Sequence, residues 1–193
     1  MNESAVDIVI GRVSPLRLGD PGPNAEALDR VTAAGLRAPD HGMLRPWRFL
    51  VIEGEGRVKF GELLAESLRR RDPGVSAEAL GMERAKALRA PVIIVAATTL
   101  KGTGKVPAVE QVVSTGAAIQ NMLIVAHALG YGGFWRTGAP AYDPVLIQAL
   151  GLGDSDQIIG FIYLGTIVTP GKVKAAYPAG VVERWPGAAS ASA

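Results

Sequence analysis

Three apolar runs, each bounded by turn formers, stand out along the chain. Trp47 to Glu53 (WRFLVIE) predicts a strand closed by Gly54 and Gly56. Pro91 to Ala97 (PVIIVAA) is continuously apolar and predicts a strand buried on both faces. Gln157 to Leu164 (QIIGFIYL) predicts a third. The segments between them carry helical periodicity. Asn24 can cap a helix with Leu28, Val31 and Leu36 on one face, stopped by Pro39. Phe60, Leu63, Leu64 and Leu68 recur at helical spacing, and a solvated run, Arg69 to Arg71, ends that helix. Ser76 can cap the next, to about Arg89, and Asp143-Pro144 and Gly151 bracket a short one. Pro107 to Gly130 predicts the longest helix, roughly 35 Å, as the spine of the fold. Residues 4 to 12 permit a helix, although the alternation of Val6, Ile8 and Ile10 also permits a strand. Strands separated by helices, with no internal repeat and no second domain, predict a mixed α/β or α+β sandwich.

The spine segment contains no Asp, Glu, Lys or Arg from Gln111 through Trp135. Gln111, Ser114, Thr115, Gln120, Asn121 and His127 interrupt it, which suits a helix buried in protein better than one in lipid. The N-terminus is acidic at Glu3 and Asp7 and does not read as a secretory signal, so a cytoplasmic location is expected. At 193 residues one compact domain is expected. The chain has no cysteine, which excludes thiol catalysis, zinc ribbons, iron–sulfur clusters and disulfides. Its net charge of +2 gives no reason to expect nucleic acid. After Gly165 the composition turns to Pro, Gly and Ala, so 1–170 reads as the domain and 171–193 as an extended tail with a disordered end.

Several chemistries fail on spacing. Gly104-Lys105 is preceded by Thr99 and followed by Val106 where a P-loop needs Gly and Ser or Thr. Gly54-Glu-Gly56 has Lys59 in place of the third dinucleotide-binding glycine. Ser114 is no nucleophile elbow, and two histidines, His41 and His127, leave no His-rich metal site. What remains must borrow its chemistry from a bound organic cofactor, or do none.

Five segments carry a resemblance: Arg12-Val-Ser14-Pro-Leu-Arg17; Ala34-Gly-Leu-Arg37-Ala-Pro-Asp-His41; Arg45-Pro-Trp47-Arg-Phe49; Glu110-Gln through Gly116-Ala-Ala-Ile-Gln-Asn121 to Gly130-Tyr-Gly-Gly133-Phe-Trp135-Arg-Thr-Gly138; and Ile159-Gly-Phe-Ile-Tyr-Leu-Gly165. In this order they resemble the FMN-dependent nitroreductase family, most closely its short, single-domain NAD(P)H nitroreductase branch. The resemblance covers the chain to about Val168. It implies an α+β fold, a nitroreductase-like α/β sandwich whose central, mixed and largely antiparallel sheet is flanked by helices and a long buried spine helix. It also implies a homodimer with FMN at the subunit interface. The implied activity is reduction of nitroaromatic, quinone or related acceptors by NAD(P)H, in ping-pong fashion through flavin N5, with no side-chain nucleophile because FMN carries the chemistry. Two alternatives stay open: a same-fold flavoprotein with another reaction (dehydrogenation or flavin fragmentation), and a non-catalytic flavin-binding or interaction protein using Arg69 to Arg71 against an acidic partner.

The resemblance assigns flavin contacts to Arg12, Val13 and Ser14, to Arg37 and His41, and to Trp135, Arg136 and Thr137. Guanidinium and hydroxyl donors suit a phosphate, though an ordinary helix end with solvated arginines would carry the same residues. His41 would reach the partner subunit's flavin; on composition alone it is an exposed loop residue. Arg12 or Arg37 would supply a cation near the flavin N1–O2 edge. Trp135 can be core, flavin contact or both. The small residues Gly116, Ala117 and Ala118 would admit a tightly packed helix, at a dimer interface or in the core. Arg45 stands where the family commonly has Gln, which changes size and charge beside the implied acceptor site.

Overall fold

A computed structural model describes residues 4–102, 104–172, 180–185 and 187. Most of the expected tail, and nearly all of its expected disordered end, lies outside them. The continuously apolar segment becomes the central strand, β3 (Val92–Thr99), buried from Val92 to Thr98. It pairs antiparallel with β2 (Trp47–Glu53), in register from Trp47↔Thr98 to Glu53↔Val92, and with β5 (Asp156–Thr169), from Thr99↔Asp156 to Val92↔Leu164. Burial on both faces is why this strand shows no alternation.

Strand β5 runs five residues past the predicted Leu164. Two short strands pair with it: β1 (Arg17–Gly19), with Gly19↔Thr166 and Arg17↔Thr169, and β4 (Gly132–Arg136), from Gly132↔Gly165 to Arg136↔Phe161. Every ladder described is antiparallel. Neither short strand has a periodicity of its own; a partner strand creates it.

Two helical layers cover the sheet. On one face α3 (Glu55–Arg71), α4 (Ala77–Ala85) and α6 (Pro144–Ala149) close a core that includes Phe60, Leu64, Ile93, Val95, Phe161 and Tyr163. On the other, α2 (Ala25–Gly35) and α5 (Ala108–Ala128) pack Val31, Ile119 and Met122 against Ile94, Ile162 and Leu164. Asn24, Ser76 and Asp143 cap their helices as expected. The N-terminal ambiguity resolves to a helix, α1 (Ala5–Gly11), because Ser4 and Asp7 form a reciprocal capping box.

The polar residues of α5 are its fastenings. The Gln111 carboxamide bonds the main chain of Lys101 and Val106, Ser114 donates to the Pro39 carbonyl at 2.7 Å, Thr98 to Thr115 at 2.7 Å, and Asn121 to the Ala34 carbonyl at 3.2 Å. The far side of the helix is open: Val109 is 65% and Val113 64% exposed. No helix among the described residues is long and apolar enough to cross a membrane. The run Arg69 to Arg71 is exposed and ends α3, as expected, and two of its arginines form ion pairs. Arg69 pairs with Glu66, and Arg70 pairs with Glu66 at 3.4 Å and with Asp143 at 2.7 Å, tying α3 to the cap of α6. Such pairing leaves little of an acidic-partner patch.

Candidate functional site

Strand β4 separates two environments by simple alternation of side chains. Phe134 and Arg136 point to the α3–α4 layer, where Phe134 stacks on Tyr163 with ring centroids 4.9 Å apart and the Arg136 guanidinium lies 5.1 Å from the Phe134 centroid. Trp135 points the other way. Its indole N–H donates to the Ile159 carbonyl at 3.0 Å, and the ring is 39% exposed beside Gly116 of α5.

On the Arg136 side lies a polar groove made of two adjoining cavities, roughly 340 Å³ and 500 Å³, which share Arg89 and Arg136. Thr137 and Gly138 line the first together with Lys86 and Tyr163, and Leu16, Arg17 and Leu18 line the second. Arg71 also lines the first cavity, and of the five cations only Lys86 has an acidic partner among the described residues, the largely buried Glu83. Burial pushes the Tyr163 phenol up to about 12 against the lowering effect of Arg89 and Arg136, so it stays a hydrogen-bond donor through the physiological range. The groove is thus electropositive, with a neutral donor on its floor.

Arg12 and Ser14 lie between α1 and β1, just upstream of the Leu16–Leu18 wall. The Nε and Nη1 atoms of Arg12 are buried and have no hydrogen-bond partner among the described residues. Gly171, just past β5, passes so close to Ser14 that a Cβ there would meet the Ser14 carbonyl oxygen at 2.0 Å. Val13 is half-buried between them.

His41 and Arg37 sit elsewhere, on the loop that follows α2 and crosses the first turns of α5. The His41 Nδ1 lies 2.5 Å from Glu110 Oε2. Pro39, Asp40 and His41 face Val109, Val113 and Ala117 across a cavity of roughly 380 Å³. This loop is bent sharply: Gly42, Met43 and Arg45 have φ of 73°, 52° and 48°, a left-handed conformation that is costly for the two non-glycine residues.

Within one chain, then, Arg136 and Thr137 share a groove, Arg12 to Ser14 lead into its wall, and His41 and Trp135 lie on the α5 side. Sequence reasoning missed Lys86, Arg89 and Tyr163. The one available signal was an arginine, Arg89, at the junction of a helix with a wholly apolar strand, where a solvated cation has no structural task.

The fold is an antiparallel α+β sandwich with a cationic groove at a short edge strand, a site suited to an anionic ligand. The profile of the Nitroreductase family matches residues 18–166. Over 162 residues the chain is 41% identical to the Escherichia coli (strain K12) protein named Putative NAD(P)H nitroreductase YdjA, covering 84% of this chain and 87% of that one. Among solved structures, a nitroreductase-like family protein from Bacillus cereus superposes with a TM-score of 0.82 at 23% identity, covering 97% of this chain and 98% of that one. A nitroreductase-fold protein from Desulfovibrio desulfuricans, solved in complex with FMN, superposes with a TM-score of 0.74 at 25% identity, covering 96% and 100%. The chain belongs to the nitroreductase family.

Proposed function

We propose that this protein is an FMN-dependent oxidoreductase that uses NAD(P)H to reduce nitroaromatic, quinone or related acceptors in a ping-pong cycle. The observation that carries the reading is the Arg12 guanidinium, buried at Nε and Nη1 with no partner among the described residues. A buried charged donor left unpaired is expensive, and a phosphate dianion beside Ser14 would satisfy it. The relative named as an NAD(P)H nitroreductase and the FMN-bound structural neighbour support the same choice of donor and cofactor.

The residues divide the work as follows. Arg12 and Ser14 hold the phosphate, with Val13 contributing its main chain. Arg17, Arg71, Arg89 and Arg136 favour negative charge in the groove, and Arg89 joins Arg12 and Arg37 as a candidate for the cation near the N1–O2 edge. Trp135 to Thr137 present main-chain groups at the edge strand, and the Tyr163 hydroxyl donates from below. FMN held there would supply the redox chemistry, the two-electron link between NAD(P)H and the acceptor. His41 and Arg37 complete the flavin site of a second subunit, because their own chain places them on the α5 side, away from the groove. The homodimer this requires would cover Val109 and Val113. Residues 1–170 are the flavin domain of this reading, and Gly171, where the 171–193 tail would begin, adjoins Ser14. A cytoplasmic location fits a cysteine-free chain that works with reduced nucleotides.

The visible spectrum of purified protein, followed by anaerobic NADPH, tests the reading. A flavin band that bleaches supports it. A colourless protein that fails to take up FMN, or a flavin that stays oxidised with both NADH and NADPH, overturns it.

A further inference from the structure

His41 has one ring nitrogen engaged within its own chain and one left over. The loop that carries it is seated on the first turns of α5: Ser114 donates to the Pro39 carbonyl at 2.7 Å, and Asp40 Oδ2 accepts from the Arg45 N–H at 2.7 Å. Between these two ties, His41–Met43 form a single tight turn. The imidazole Nδ1 then meets Glu110 Oε2 at 2.5 Å, 69 positions along the chain. Glu110 lies in the first turn of α5, where the positive end of the helix dipole favours an ionised carboxylate. An ionised carboxylate can only accept, so the ring nitrogen that touches it must carry the proton. Nε2, across the ring, has no hydrogen-bond partner among the described residues, and the side chain is 63% exposed.

We infer that Glu110 is a positioning residue for the flavin contact of a second subunit: it holds His41 as the Nδ1–H tautomer and so leaves Nε2 free as a hydrogen-bond acceptor. This rests on the oxidoreductase reading above, in which His41 completes the partner's flavin site. A neutral imidazole in water prefers its proton on Nε2, which would make the free nitrogen a donor. The carboxylate therefore reverses the polarity of the contact. The reversal has a chemical match. The edge of an oxidised isoalloxazine carries several acceptors but a single N–H, at N3, and an acceptor nitrogen selects that position. A donor would be drawn to the carbonyl oxygens instead.

The test pairs FMN with N3-methyl-FMN, in which a methyl group replaces the N3 proton, and reads both dissociation constants by fluorescence titration of the apoprotein. The wild type is expected to bind FMN about ten-fold more tightly than the analogue. Glu110→Ala should lower that ratio several-fold, mainly by weakening FMN. Glu110→Gln, whose amide oxygen still accepts from Nδ1, should keep most of it. The second readout is the nitrogen NMR spectrum of protein labelled in histidine, taken at a pH where the rings are neutral. With only His41 and His127 in the chain, His41→Asn assigns the signals. Wild-type His41 should show a protonated Nδ1 and a bare Nε2, and Glu110→Ala a mixture weighted to Nε2–H. An Nε2–H tautomer or a ratio near one in the wild type overturns the inference, as does an unchanged tautomer or ratio in Glu110→Ala. Equal weakening of both flavins by that variant also overturns it, because it marks a purely structural loss. Uptake of neither flavin by the wild type strikes the oxidoreductase reading itself, and the inference with it.

Discussion

Trp135 occupies the volume that a side chain at position 160 would need. A Cβ on Gly160 would stand 1.9 Å from the indole Nε1 and 2.4 Å from Cδ1, so the ring and the glycine are fitted to each other across the β4–β5 ladder. The indole is at the same time bonded to the neighbouring Ile159 carbonyl. Gly160→Ala must expel the ring or spread the strands. The expected cost is about 1–3 kcal/mol, as for other overpacked sites. Denaturant unfolding followed by tryptophan fluorescence measures it, and the emission of the native state should shift to the red as the indole becomes wetter.

Removal of the Arg12 guanidinium should act on cofactor retention more than on the fold. Arg12→Ala is expected to weaken FMN binding by roughly ten- to one-hundred-fold, the loss of a charged hydrogen-bonded contact. The apoprotein, relieved of two buried donors without partners, should be as stable as the wild type or slightly more so. Fluorescence titration of the apoprotein with FMN, alongside thermal unfolding, separates the two effects. Full flavin occupancy in the mutant would remove Arg12 from the phosphate site.

The buried hydrogen bond from Thr98 to Thr115 joins the central strand to the spine helix. Thr115→Val strands the Thr98 hydroxyl and should cost about 1–3 kcal/mol, whereas Thr98→Val should cost less, because Thr115 still donates to the Gln111 carbonyl at 3.3 Å. The double valine variant should lose less than the sum, because no stranded group remains. Chemical denaturation of all four proteins closes the cycle, and strict additivity would mean that the hydroxyls do not depend on each other.

Asp143 sets the acid limit of the α3–α6 junction. Burial works to raise its pKa. The approach of the Ser67 hydroxyl, the Arg70 guanidinium and the Val145 and Leu146 N–H groups outweighs burial and holds the carboxyl below its ordinary 3.8. The ionised form therefore favours the fold above pH 3.8, and this contribution is lost as the pH falls through the lower, folded value. Asp143→Asn should cost about 1–3 kcal/mol at neutral pH. It should also flatten the decline in stability at the acid end. Unfolding midpoints across the acid range show both.

The two sides of the protein were not equally legible in its sequence. Val92 to Thr98 announced their strand because burial on both faces leaves an unbroken apolar run. Asn24, Ser76 and Asp143 announced their helices because a cap is a local event. β1 and β4 were silent: three residues, and five that begin with two glycines, have no pattern until β5 supplies a partner. The site follows the same rule. Arg12 and Ser14 adjoin in the chain and could be read as a pair of donors. Lys86, Arg89 and Arg136 meet only because α4 and β4 converge on one face of the sheet, so their joint field is a property of the fold. Arg70 shows the converse, a residue that looks solvated in its charged run and proves to be tied to Asp143, 73 positions away.

Strand β4 bonds to β5 along one edge and to no other strand among the described residues. An open edge next to a cofactor groove is a hazard for a newly made chain, since its free N–H and C=O groups can recruit another molecule's strand before any flavin arrives. The strand is five residues long and ends in an arginine, which leaves little to propagate a stack of such pairings.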